Sequence, residues 1–321
     1  MIFLDNFRAL DSYIQSKHIP GPVRINPNFP NFKPFNVESI HKNAFKLLSN
    51  GLSAEYALRI TPVVNDEQYL QSSLHWIFPQ AYYSVYFSAR AFLAAQGFYL
   101  ANEDQIRRKV NALVVAGYYP KSINFYGYGV VKPFQIWRID NNADSAETLN
   151  DFVADTRRKS VKKQFQVYQT NPRIALRNQS TGQVLENVNN DQLRVICKDL
   201  GYTTYFDLLC RLRISSTNRE IERYITDTID VRAFHQSLVN IVNHINGIHE
   251  AYIAYAIGLD TYRVLINGLP NYLREGFVRD RLNQIVEPTV KPLMPKLVNY
   301  GPTLEQDLAC YNSIHPLPSI R

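Results

Sequence analysis

The segment DVRAFHQSLVNIVNHINGIHEAYIAYAIG, from Asp230 to Gly258, constrains the fold more than any other part of the chain. Phe234, Leu238, Ile241, Ile245, Ile248 and Tyr252 step by three and four residues. On a helix of about 3.6 residues per turn they form one narrow apolar stripe, which water destabilises unless other helices cover it. The pattern predicts a long helix at the seam of a bundle. Three histidines flank the stripe. His249 sits about 60° from its centre, His235 about 100° away on the same side and His244 about 80° away on the other. His235 and His249 are separated by roughly 21 Å of helix rise, and His244 and His249 point about 140° apart, so no two of them share a metal on this helix alone. His249-Glu-Ala-Tyr-Ile also lacks the second histidine of a zinc-protease helix. The plain alternative is three boundary histidines, each with a ring nitrogen satisfied by a neighbour.

The rest of the chain supplies further helices. Residues 1–17 and Val37 to Asn50 read as helices, and Ile19 to Phe35 holds five prolines, which fix φ and remove amide donors, so this stretch reads as an extended arm. Asp66 to Gly97 has a long helical pattern that Pro79 is expected to kink or to end in its first half. Beyond it Tyr82, Tyr86, Ala89 and Leu93 recur at helical spacing among Ala, Ser and Gly, which lets a neighbouring helix come close. Asn102 with Gln105 opens the next helix. From Gly117 to Asp140 the periodicity gives way to short aromatic runs broken by Gly and Pro, an irregular or β-containing insertion. Asp144 with Glu147 caps a polar helix running to about Gln169, IALRNQSTGQVLEN reads as a hairpin, and helices resume at Asp191. Pro288, Pro292, Pro295, Pro302, Pro316 and Pro318 mark a proline-rich tail.

With 321 residues the chain can build one large core or two small ones. Its 45% apolar and 20% charged residues are ordinary for a globular protein, whereas 21 Tyr and 17 Phe favour packing and stacking surfaces. No basic and apolar leader opens it and no apolar run nears the roughly 20 residues a bilayer requires, so the expectation is a cytoplasmic protein without membrane contact. Cys197, Cys210 and Cys310 contain no CxxC and read as free thiols. A net charge of +7 and a pI near 9.2 favour phosphate polymers as partners.

AYYSVYFSARAFLAAQGF, from Ala81 to Phe98, resembles the second-helix signature of HEPN domains (higher eukaryote and prokaryote nucleotide-binding). RISSTNREIERY and the histidine-flanked helix after it resemble that family's later helices, in versions that carry large insertions. The resemblance covers 66–115 and 190–258. It implies a mainly α protein: a HEPN-like helical bundle, frequent homodimers, and RNA-directed roles in bacterial defence or toxin-type systems, alone or with a partner protein. The organisation then expected is 1–65 as N-terminal arm and helices, 66–116 with 190–286 as a discontinuous bundle, 117–189 as an aromatic and β insertion with a basic helix and hairpin, and 287–321 as the proline-rich tail.

Active HEPN ribonucleases place a His after an Arg and four to six intervening residues, and this chain departs from that pattern. Arg213 is followed at that spacing by Asn218, with Arg219 next. Metal-independent RNA cleavage needs a planar cation for the phosphate and a side chain that exchanges protons near neutral pH. Asn hydrogen-bonds but does not shuttle a proton. Either His235 or His249 is recruited in space from the following helix, or the pocket binds without cutting. Arg213 is otherwise a helix C-terminal cap or a bundle salt bridge.

A second basic feature is RRKSVKK. Arg157, Arg158, Lys159, Lys162 and Lys163 give a positive ridge by i, i+4 stacking, and with Tyr126, Tyr128 and Trp137 nearby they form the candidate contact for single-stranded RNA. The alternative is a solvated face paired with Asp151 and Asp155. Phosphate-binding loops, a nucleophile elbow and closely paired acids are missing, so neither cofactor nor metal is expected. Two further readings stand beside the ribonuclease: a catalytically silent helical scaffold that holds a partner subunit, and a nucleotide-binding regulatory module.

Overall fold

In a computed structural model that describes residues 2–17, 38–171, 177, 181–184, 188–216 and 230–285, the apolar periodicities become twelve α-helices. In chain order these are α1 (Ile2–Lys17), α2 (Glu38–Ile60), α3 (Glu67–Ser72), α4 (Leu74–Ala95), α5 (Glu103–Val115), α6 (Ala146–Thr170), α7 (Asn190–Ile196), α8 (Tyr205–Ser216), α9 (Val231–Ile257), α10 (Leu259–Asn267), α11 (Asn271–Arg274) and α12 (Phe277–Gln284). Between α5 and α6 lies a two-stranded antiparallel hairpin, β1 (Tyr126–Tyr128) and β2 (Gln135–Trp137), in the register Tyr126 to Trp137 and Tyr128 to Gln135. The described residues belong to one unit, 1–288. The proline-rich arm (Ile19 to Phe35), the tail from Pro288, most of the expected hairpin between 174 and 187, Asn218 and Arg219 lie outside the described residues.

The Asp230 segment folds as its pattern requires. The Asp230 carboxylate accepts from the Ala233 amide at 2.9 Å, satisfying one of the free donors of the first turn. All six stripe residues are buried. The helix is central rather than one-faced, however, with 19 of its 27 residues buried, because α1, α2, α3, α4 and α10 all pack on it. Helix α4 is the second axis and packs on α2, α8 and α9. Its small residues act as expected: a Cβ added to Gly51 of α2 would stand 3.1 Å from both the Ser84 carbonyl oxygen and the Ser88 amide nitrogen of α4, so a larger residue there would push α4 back by a few tenths of an ångström. Edge-to-face rings, Phe7 on Phe152 at 5.1 Å and Phe78 on Phe234 at 5.7 Å, join α1, α6, α4 and α9, each burial contributing about 1.5–3 kcal/mol.

Three local expectations are corrected. Helix α2 runs ten residues past Asn50, to Ile60. The break in the long pattern comes at Ser73, whose hydroxyl donates to the Leu70 carbonyl, and Pro79 lies inside α4. At the start of α6 the N-cap is Ser145 without a side-chain bond, and Asp144 stands one residue outside. Conversely, α7 opens with a reciprocal Asn189 and Gln192 capping box that the reading of Asp191 passed over.

Two packing features position the site. The hairpin lies on α6, so close that a Cβ on Gly127 would come within 2.9 Å of the Val153 side chain, and Gly127 also exchanges both backbone hydrogen bonds with Thr203. Residues of the 117–153 stretch, Tyr119, Ile123, Phe125, Leu149, Phe152 and Val153, enter the main core. A separate small cluster, Val161, Ile196, Cys197 and Leu200, joins α6 to α7 and the turn after it.

Candidate functional site

Arg213 stands in the last turn of α8, where its charge complements the helix C-terminus. One terminal nitrogen donates to Glu103 Oε1 at 2.9 Å, and the Tyr82 hydroxyl donates to the same oxygen at 2.8 Å. The guanidinium lies 5.5 Å from the Tyr82 ring centroid. The side chain is 35% exposed, so solvent reaches it. A phosphate approaching Arg213 competes with a carboxylate that the first turn of α5 already favours. Glu103 is a partner that no local pattern discloses, because it stands 110 residues away on another helix.

The imidazoles meet different surroundings. His249 is 0% exposed. Its Nε2 faces the hydroxyls of Tyr119 at 3.0 Å and Tyr205 at 3.3 Å, its Nδ1 faces Ser88 Oγ at 3.2 Å, and its ring stacks on Phe92 with planes 7° apart. Burial pushes its pKa down to about 3, so the ring is neutral at physiological pH. His235, also buried, donates from Nε2 to the Leu58 carbonyl at 2.8 Å. Burial lowers its pKa as well, and the carbonyl offsets part of that shift. His244 pairs with Ser122 Oγ at 2.7 Å. His249 meets α8 at Tyr205, eight residues before Arg213, a separation of roughly 12 Å along the helix. The expectation that His235 or His249 carries a proton to RNA is therefore corrected, since both are enclosed and bonded inward.

The basic ridge divides in the same way. Arg157 is 1% exposed: it donates to the carbonyls of Gly129 and Gly201 and lies against the ring of Tyr128. It ties α6 to the end of β1 and to the turn before α8, and is not an RNA contact. Tyr126 is likewise buried, edge-on to Tyr202 and covered by Arg138. Arg158 and Lys159 are 55% and 53% exposed, and both pair with Asp155, which also holds Arg211. Lys162 and Lys163 are exposed on the next turn, and Tyr128 and Trp137 are exposed on the hairpin.

Beside the ridge the structure forms a groove that the sequence did not disclose. About 430 Å³ in volume and open along one side, it runs between the β1–β2 turn (Val130, Val131, Lys132, Phe134), one face of α6 (Arg158, Val161, Lys162, Phe165) and the pair Val188 and Leu193. The walls are apolar, and the three charged residues among them are all cations. Among the described residues no group of three or more His, Cys, Asp or Glu could hold a metal ion, and no helix is long and apolar enough to cross a membrane.

Comparison with protein-family models, with curated proteins and with solved structures gave no match. The mainly α architecture stands on the structure, and the HEPN resemblance rests on the residues that suggested it.

Proposed function

We propose that this protein is a catalytically silent helical scaffold that holds an anionic partner. The observation that carries this reading is the enclosure of His235 and His249. A general acid or base must reach the proton it moves, and a ring with a pKa of about 3 carries almost no proton at neutral pH. The engagement of Arg213 by Glu103 and Tyr82 supports the same reading, because it gives the guanidinium an internal counter-charge. In this view the HEPN-like blocks supply the bundle and not the chemistry, and binding falls to the open groove and its cations.

The test is incubation of the full chain with single-stranded RNA in the presence of a chelator. No shortened product is expected from wild type. Strand scission by wild type that disappears in Arg213→Ala, with the fold kept by circular dichroism, sinks the proposal and restores a ribonuclease.

A further inference from the structure

The geometry points to a defined occupant for the groove between α6, the β1–β2 turn and α7: a short segment of a partner protein in which bulky apolar side chains are flanked by carboxylates. This inference rests on the scaffold reading and names its partner chemistry. The floor, Phe134, Val161 and Phe165, offers apolar surface, so burial of apolar side chains is what an occupant gains there. Lys132, Arg158 and Lys162 belong to the lining; among the described residues that lining holds no carboxylate, and Arg158 alone of the three pairs with a carboxylate outside it, Asp155. Asp155 lies outside the lining and is shared among Arg158, Lys159 and Arg211, so it leaves that flank of α6 net positive. Like charges held together in one lining are relieved by an anion, and the closeness of an apolar floor selects an anion carried beside a greasy side chain. RNA fits less well. Unpaired bases are held by stacking on exposed aromatic faces, whereas the two rings of the lining, Phe134 and Phe165, are partly buried against the small cluster, and the exposed Tyr128 and Trp137 lie outside the lining.

The groove's floor belongs to the small cluster of Val161, Ile196, Cys197 and Leu200 and the side chains packed on it, apart from the main core. Charge reversal at the exposed Lys132 and Lys162 therefore leaves the bundle intact.

The experiment is selection of displayed random dodecapeptides on the full-length wild-type protein, with counter-selection on the double variant Lys132→Glu/Lys162→Glu. The expected outcome is enrichment of sequences with at least two Asp or Glu beside Leu, Ile, Phe or Trp. The consensus peptide binds the variant at least about tenfold more weakly, and exchanging its acids for Lys restores binding to the variant. Two outcomes overturn the inference. One is selection that yields no sequences distinguishing wild type from variant, or only sequences without acids. The other is fluorescent oligouridine that binds wild type, loses binding in the variant and displaces the peptide, which assigns the groove to RNA. Failure of the scaffold reading shows separately, as strand scission of RNA, which none of these binding readouts reports.

Discussion

A histidine that keeps its neutral form at every physiological pH must be excluded from water by something, and for His249 it is a cage of two phenols, one serine and a stacked phenylalanine. Protonation would place an unpaired cation in an apolar interior. The folded pKa lies below the unfolded one, so between about pH 6.5 and about pH 3 the unfolded chain binds the extra proton. Stability is then fully present above about pH 6.5 and falls as pH drops through that window. By about pH 5 His249 alone removes about 2 kcal/mol, and His235, lowered in the same direction, adds to the loss. Urea midpoints at about pH 7.5 and about pH 5 measure it. In His249→Gln, which is less stable at neutral pH, the loss over the same interval shrinks by about 2 kcal/mol; an equal loss in wild type and variant places the titration elsewhere.

At the scale of the element, α6 carries both a structural and an exposed basic face, and Arg157 belongs to the first. Arg157→Ala leaves two carbonyls, those of Gly129 and Gly201, without their donor and is expected to cost about 3 kcal/mol in urea denaturation. Arg157→Lys recovers less than half, because one ammonium does not span two acceptors on different segments. Lys163→Ala on the exposed face changes stability by no more than about 0.5 kcal/mol. The sequence already held the distinction. Val153, Arg157 and Val161 recur every fourth residue, so the arginine lies on the buried line of the helix, and a charge run read as a unit hides that. The stripe of α9 was legible because its period is local. The fate of its flanking histidines was not, because it depends on how many neighbours cover the helix. Of the two outcomes open to Pro79, ending the helix is excluded: near the start of α4 its missing amide costs one early hydrogen bond and not the helix. The groove drew its walls from 130–134, 158–165 and 188–193, and no period within a segment brings three segments together.

At the scale of the whole molecule, one buried ionic network closes the chain on itself. Arg281 of α12 donates to Glu55 of α2 and to Glu250 of α9; Arg59 also donates to Glu55, Asn246 donates to the other Glu55 oxygen at 2.8 Å, and Tyr262 donates to Glu250 at 2.7 Å. Arg281, Glu55 and Glu250 are all buried, so the two carboxylates depend on this guanidinium for most of what water would have given them. Burial pushes the Glu250 carboxyl up, whereas at Glu55 the Arg281 and Arg59 charges outweigh burial and hold the carboxyl down. Arg281→Met fills much of the same space and removes the charge, leaving buried carboxylates that outnumber their cations. The expected cost is about 4 kcal/mol at about pH 7.5, read from urea midpoints. The pH dependence identifies the cause. Without Arg281 both carboxyls lose a charge that lowers their folded pKa values, so the folded variant binds protons more tightly than folded wild type, and its deficit relative to wild type shrinks as pH falls from about 7.5 to about 5. The histidine loss is common to wild type and variant and cancels in that difference. Adding Glu55→Gln and Glu250→Gln to Arg281→Met removes the orphaned charges and is expected to restore at least half of the loss at neutral pH. A cost that stays the same at both pH values and is not restored by the glutamines means that Arg281 acts through its packing on Phe277, whose ring centroid lies 5.1 Å from the guanidinium, and not as the charge that joins three helices.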